Sequence, residues 1–363
     1  MTTQLSPGDA APWFRAPTLD GSQAFSFDSV AGRYVVLLFV GSAGSDEGQA
    51  ALRTLAANRA LFDDRHVTFF GVTCDPADAA EGRIEKMLPG VRWFLDYDRR
   101  VSRSYGAMDG GGTAHPHWLL LDRALRVADR TDVANGARLL ANLSSLVTQP
   151  RDEGFAPVLV VPRVFGGDLC RRLIDLYDTH GGTLSGFMRE VDGKTVGIVD
   201  KSFKRRSDYT LEETSELRTE VNRQLARTLL PQIQRAFQFR ATRIERYIVA
   251  CYDGEGDGGY FRAHRDNTTA GTAHRRFACT INLNAGDYDG GDLIFPEYGD
   301  RRYRAPTGGA VVFSCSLLHE AMPVTRGRRY AYLPFLYDDA AAQVREANAK
   351  SGRVSSELAS YRA

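Results

Sequence analysis

Two short segments, YVVLLFV at 34–40 and VTFFGVT at 67–73, constrain the fold of this chain most. A strand with one wet face alternates apolar and polar residues, whereas a strand covered on both faces reads as a continuous apolar run. Both segments are of the second kind. A helical stretch over about residues 47–62 separates them, and PADAAEGRIEKML follows as a second expected helix, with Pro76 in its first turn. HWLLLD (117–122) and RVADRT (126–131) read as a hairpin, and ARLLANLSSL as a short amphipathic helix. Strands interleaved with helices point to an α/β sandwich over the first 150 residues or so.

The remainder has a different texture. TQPRDEGFAP (148–157) is rich in Pro, Gly and charge and reads as a linker. GDLCRRLIDLYDTHGG then reads as a helix stopped by Gly181 and Gly182. Thr210 and Glu213 have capping-box spacing ahead of a longer helix. In that helix Leu217, Val221, Leu225, Leu229, Ile233 and Phe237 recur every four residues, marking one buried face, and Pro231 should kink or divide it. From 241 to 337 the chain becomes short strand-like runs: RIERYIVACYD, RRFACTINLN, GGDLIFPEY, YRAP, GAVVFSCS and RRYAYLPFLYD, with DGEGDGG and DYDGG as turns. That order suggests a jelly roll buttressed by helices. The tail after Asp339 is Ala-rich and charged, helical and then frayed.

Composition sets outer limits. The 363 residues, 43% hydrophobic and 25% charged, are enough for two globular domains. The 46 basic and 45 acidic residues leave a formal charge of +1, so no global field draws the chain to nucleic acid or a membrane surface. No apolar run approaches the roughly 20 residues of a membrane span, and the N-terminus lacks the pattern of a secretory leader. Cys74, Cys170, Cys251, Cys279 and Cys315 are odd in number and widely spaced, without a CxxC. They fit reduced thiols in a cytoplasmic protein rather than a disulfide framework or a zinc site.

Of the seven histidines only His264 opens an H-x-D pattern, with Asp266. On a strand, residues i and i+2 share a face, so this imidazole and carboxylate can meet one ion. His319 follows at the end of GGAVVFSCSLLH, and Arg329 ten residues later. Two imidazoles and one carboxylate on one face of an iron leave three adjacent positions open. An α-keto acid can fill two and oxygen the third, and an Arg fork suits a second carboxylate at the far end of the pocket.

The segments YIVACYDGEGDGGYFRAHRDN, GGDLIFPEYG and GGAVVFSCSLLHEAMPVTRGRRY together resemble the prolyl 4-hydroxylase-type Fe(II)/2-oxoglutarate dioxygenases, over roughly residues 156–340. The resemblance implies a double-stranded β-helix, with Fe(II) and 2-oxoglutarate as cofactors. It implies His264, Asp266 and His319 as catalytic iron ligands, Arg329 on the distal carboxylate of 2-oxoglutarate, and Tyr252 beside that cosubstrate. Asn282 falls where some relatives place a Tyr. The implied reaction consumes molecular oxygen and 2-oxoglutarate, releases succinate and carbon dioxide, and hydroxylates an aliphatic C–H bond. The substrate class stays open between a free amino acid, a peptidyl side chain and a natural-product intermediate. The basic clusters Lys204-Arg205-Arg206 and His274-Arg275-Arg276 are candidates for holding an anionic group on it, Arg276 foremost.

LSPGDAAPWFRAPTLDGSQAFSFDSVAGRYVVLLFVGS, GVTCDPADA and HWLLLD resemble a peroxiredoxin, over about residues 5–145. That chemistry needs a thiolate at the start of the helix after the first core strand. Here the stretch reads GSAGSDEGQAAL, the matching position is Gly48, and the family's Pro is replaced by Gly41. Cys74, at the end of a buried strand, reads as structural, and His115-Pro-His117 as a turn rather than a metal pair.

The expected architecture is therefore α/β plus α+β. A thioredoxin-like, redox-inactive domain (1–147) and a linker (148–157) precede a double-stranded β-helix (jelly-roll) oxygenase domain with supporting helices (158–340) and a tail (341–363). The competing readings are a thiol peroxidase with an appended domain and a non-catalytic sensor of oxygen or 2-oxoglutarate. By analogy with peroxiredoxin-like domains a homodimer is a fair expectation.

Overall fold

A computed structural model describes residues 4–148 and 154–355. The chain divides near residue 154 into two compact units. Half of the expected linker, residues 149–153, and the end of the tail, residues 356–363, lie outside the described residues.

The first unit is built on a five-stranded sheet in the order Val91–Leu95, Val67–Thr73, Tyr34–Gly41, His117–Leu121, Val127–Asp132. The first three strands are parallel, and the last two form the expected antiparallel hairpin. Both apolar runs are central strands, as continuous burial requires. Val36, Leu38 and Val40 pack on one face with Ala51 and Leu55 of the helix Asp46–Ala57 and Leu139, Leu140 and Leu143 of the helix Gly136–Thr148. The opposite face carries an aromatic cluster in which Phe14 stacks on Phe27 at 4.7 Å and Phe70 on Phe94 at 4.9 Å. The expected helix PADAAEGRIEKML is cut to Pro76–Ala80, because Gly82 turns the chain into the left-handed region (φ +65°). The strand Val91–Leu95 was hidden behind that misread helix.

The second unit pairs a nine-stranded antiparallel sheet with a five-stranded one. The large sheet runs Arg243–Glu245, Phe335–Tyr337, Phe277–Asn282, Arg328–Tyr332, Ile248–Asp253, Ser207–Thr210, Thr183–Leu184; Ala310–Ser314 joins it beside Phe277–Asn282, and Leu159–Val161 pairs with Ala310–Ser314 in turn. The small sheet runs Lys204–Arg205, Tyr260–His264, His319–Ala321, Leu293–Ile294, Arg302–Tyr303. Alternation along the large sheet sorts its side chains. Val249, Cys251, Tyr330 and Tyr332 join a core with the helices Gly167–His180 and Glu216–Gln224, while Tyr252, Thr280 and Arg329 turn to the cavity between the sheets. This is the double-stranded β-helix with supporting helices.

The four-residue stripe is buried as expected, with Val221, Leu225, Leu229 and Ile233 fully inaccessible. A strict period of four drifts by roughly 40° per repeat on a helix of 3.6 residues per turn. A π-helical segment, Leu225–Leu229, absorbs that drift with its wider turn, and Leu230 N–H donates to the Leu225 carbonyl. Pro231 sits at the start of the next helix, Leu230–Phe237, so the expected division lies just before it. Thr210 does not cap this helix: it ends a strand paired to Ile248, and Ser215 is the cap, its hydroxyl accepting from Arg218 N–H at 3.2 Å. YRAP contributes only Tyr303 to a strand. The tail begins as the helix Asp339–Lys350. No helix among the described residues is long and apolar enough to cross a membrane.

Candidate metal and cosubstrate site

The small sheet sets the histidines. His264 is the last residue of Tyr260–His264, His319 the first of His319–Ala321, and the two are direct cross-strand partners. Two expectations need correction. Asp266 is not on the strand with His264 but in the turn after it, where its N–H donates to the Cys315 carbonyl at 2.9 Å. His319 does not end the strand Ala310–Ser314, because a turn intervenes and His319 opens a strand in the other sheet. The chain crosses between sheets at both points, so pairing rather than i, i+2 alternation brings the three together.

Their ligand-type atoms lie within 4.8 Å of one another, the only such group of three or more His, Cys, Asp or Glu side chains among the described residues. Asp266 Oδ1 is 3.6 Å from His264 Nε2, and Oδ2 is 3.4 Å from His319 Nε2. Nδ1 of His264 lies 2.7 Å from the Arg262 carbonyl, and Nδ1 of His319 lies 3.1 Å from that of Leu317. A carbonyl only accepts, so each Nδ1 carries the proton and each Nε2 presents its lone pair to the shared space. Burial opposes the charged form of Asp266, but His319, His264 and the Arg275 guanidinium outweigh it and hold the carboxyl below its usual range. Burial, with His264 beside it, pushes His319 down to about 4. An ionised carboxylate and neutral imidazoles are the protonation states a divalent cation needs.

Across the cavity, Arg329 is 2% exposed and pairs in register with Tyr252, whose ring lies 4.9 Å from the guanidinium carbon. Nη2 donates to Thr280 Oγ1 at 3.1 Å, whereas Nε and Nη1 are buried without a hydrogen-bond partner. Two orphaned N–H groups on a buried cation are costly unless an anion completes them, so the site suits a carboxylate. Tyr252 is buried, and its hydroxyl accepts from Arg206 Nη1 at 3.3 Å. Asn282 is directed elsewhere, donating to the Ala305 carbonyl. Arg276 is likewise turned away, to the Ala273 carbonyl, and Arg275 is engaged by Glu245 at 2.6 Å.

Three residues of this cavity escaped the sequence reading. Thr280 lies two residues before Asn282, on the same strand face. Arg206 was noted only as part of a basic cluster. Arg246 carried no sequence signal, since its backbone leaves the strand pattern (φ +69°).

In the first unit, Gly48 lies in the first turn of Asp46–Ala57, its N–H donating to Ser45 Oγ at 3.0 Å. A β-carbon there would run into the Ser42 carbonyl oxygen and come within 2.8 Å of Ala43 Cα. Gly41 has φ +67°, closed to proline. Burial, foremost, raises the Cys74 pKa, and its sulfur sits 3.2 Å from Ser102 Oγ, so it is held as a thiol. His117 is 4% exposed, stacks on Phe39 and places Nδ1 2.8 Å from the His115 carbonyl, whereas the His115 side chain is 55% exposed.

Two tests follow from this unit, and because Trp13, Trp93 and Trp118 all lie within it, tryptophan fluorescence reports its unfolding. Burial pushes His117 down to about 4. The unfolded chain, with an ordinary pKa near 6.5, then binds the extra proton between about pH 6.5 and pH 4, so stability falls as pH drops through that window, by roughly 3 kcal/mol in all. His117→Phe should flatten this dependence in urea titrations. Gly48→Cys should destabilise the unit by about 1–3 kcal/mol, the usual cost of overpacking. It should not confer peroxide consumption.

Residues 7–130 match the model of the AhpC/TSA family, and residues 247–337 that of the 2OG-Fe(II) oxygenase superfamily, whose cofactors are Fe(II) and 2-oxoglutarate. A PKHD-type hydroxylase of Stenotrophomonas maltophilia (strain R551-3) is 32% identical over 148 residues, 39% of this chain and 64% of that protein. One from a Polaromonas species is 36% identical over 97 residues, covering 24% and 40% respectively. The chain thus spans less than two thirds of these curated relatives. Among solved structures, a Pseudomonas putida prolyl-4-hydroxylase aligns at 19% identity with a TM-score of 0.39, over 55% of this chain and 99% of that one. The chain joins an AhpC/TSA peroxiredoxin-like N-terminal domain to a 2OG-Fe(II) oxygenase domain related to the PKHD-type hydroxylases.

Proposed function

We propose that the second domain, within residues 158–340, is an Fe(II)- and 2-oxoglutarate-dependent dioxygenase that hydroxylates an aliphatic C–H bond of an amino acid, a peptidyl residue or a natural-product intermediate. The observation that carries this reading is the pairing, across one cavity, of the His264–Asp266–His319 group with the two unpartnered N–H groups of Arg329. A metal group alone fits many chemistries. A metal group facing a buried, half-satisfied guanidinium fits a metal together with a dicarboxylate.

In this reading His264, Asp266 and His319 hold the iron, with Nδ1–H anchored to backbone carbonyls so that the imidazoles do not rotate. Arg329 grips the distal carboxylate of 2-oxoglutarate, held in place by Thr280, and Tyr252 packs beside it. Ferrous iron with 2-oxoglutarate supplies the activation of oxygen for hydroxylation, and the cosubstrate leaves as succinate and carbon dioxide. Leu293, Phe313 and Phe335 line the cavity and exclude water. The first domain serves as a scaffold or capture module without peroxidase chemistry, because a thiol has no room at Gly48.

Anaerobic addition of Fe(II) and 2-oxoglutarate should produce a weak visible chelate band in the wild-type protein. His319→Ala should abolish it. Arg329→Ala should retain it but need about 10–100-fold more 2-oxoglutarate, the loss expected of a charge-assisted pair. Absence of the band in the wild type under all conditions would refute the reading. A band without succinate formation in the presence of candidate substrates would favour the sensor.

A further inference from the structure

Three arginines line the cavity of the His264–Asp266–His319 group: Arg206, Arg246 and Arg329. Arg329 is the one assigned above to 2-oxoglutarate. Arg206 is already paired with an anion. Its Nε and Nη2 each lie 2.7 Å from Asp208 oxygens, and it also donates to Ser185 Oγ and to the Tyr252 hydroxyl. Arg246 differs from both. Its side chain is 26% exposed, and its nearest anion is Asp208, 3.9 Å away and already held by Arg206 and by Ser185 Oγ at 2.5 Å. Its other contact is the face of Phe335, 5.6 Å from the guanidinium carbon.

Position singles out the same residue. Arg246 is the one described residue that lines both the inner cavity and a neighbouring groove of about 1870 Å³. It follows directly on the strand Arg243–Glu245 with φ +69°, in the left-handed region that few non-glycine residues occupy. That turn breaks the strand alternation and places the guanidinium at the junction of cavity and groove.

Resting on the oxygenase reading, we propose that Arg246 anchors a carboxylate of the substrate, fixing it at the entrance to the cavity while the carbon to be oxidised lies further in. The local charge favours a monoanion. Glu245 balances Arg275, and Asp208 balances Arg206. Lys204 is buried, donating to Ser185 Oγ and the Gly186 carbonyl; burial, with Arg206 and Arg246 nearby, lowers its pKa well below the ordinary value. Arg246 keeps a positive charge with no anion within hydrogen-bond distance. A single planar carboxylate matches both that charge and the guanidinium fork, whereas a phosphate dianion would leave an excess negative charge in a partly buried site.

The carboxylate could belong to a free amino acid or to the C-terminus of a peptide, and the test has an arm for each. The protein is loaded anaerobically with Mn(II) and 2-oxoglutarate, and binding is read by calorimetry. One arm compares the twenty free L-amino acids with their carboxamides. The other compares N-acetylated tripeptides bearing free C-termini with the same peptides amidated. In one arm the best acid should bind about tenfold or more tightly than its amide. That preference should vanish in Arg246→Gly, which takes the left-handed backbone without strain, and shrink in Arg246→Lys. Affinity for 2-oxoglutarate and the thermal midpoint should match wild type in both variants. The proposal is overturned if the acid preference survives Arg246→Gly, if acids and amides bind alike, or if nothing binds in either arm. It is also overturned if the variant weakens 2-oxoglutarate instead. Failure of Mn(II) and 2-oxoglutarate to load the wild-type protein would instead refute the oxygenase reading, and shows before any substrate probe is added.

Discussion

The pairing of Tyr260–His264 with His319–Ala321 is the constraint on which the second domain's site depends. Fifty-five residues separate the two histidines in sequence, and only the ladder of the small sheet makes them neighbours. The same backbone that sets their spacing also sets their chemistry, since the carbonyls of Arg262 and Leu317 fix which nitrogen of each ring carries the proton. Asp266 completes the group from a turn whose N–H is held by Cys315 at the far end of another strand. The placing of the two histidines is thus a property of strand register, and a shift of one residue would turn His264 or His319 to the wrong face.

The large sheet does a complementary job by alternation. One face of each strand serves the helices, the other the cavity, so Tyr330 and Tyr332 lie in the core while Arg329, next to Tyr330, lies in the site. Isolating a cation this way leaves it little but a ligand to bond, and two of its N–H groups remain unpartnered. The cost of that arrangement is borne by packing on the opposite face, where Val249, Cys251, Leu225 and Leu229 are buried together.

Much of this was legible in the sequence, for physical reasons that also explain the misses. Continuous apolar runs located the central strands of the first domain because burial on both faces leaves no other pattern. The residues His264, Asp266, His319, Arg329 and Tyr252 do meet at one cavity, but through cross-strand pairing within each sheet, which sequence spacing cannot express. The four-residue stripe was read correctly as core, yet its compensating π segment was invisible because the stripe itself conceals it. Ser215 was passed over as a cap because Thr210–Glu213 satisfied the same spacing rule in a segment that tertiary pairing drew into a sheet. Arg246 stayed hidden because its importance lies in a backbone angle.

The glycine at position 48 limits what single substitutions can reach. At an open position one codon change installs a reactive side chain. Here the Ser42 carbonyl and Ala43 occupy the place where a β-carbon would stand. A thiol would need the loop to retreat first, so two changes are required and neither alone is an improvement. The position is thereby closed to stepwise acquisition of thiol chemistry, while the rest of the domain's surface stays open to change.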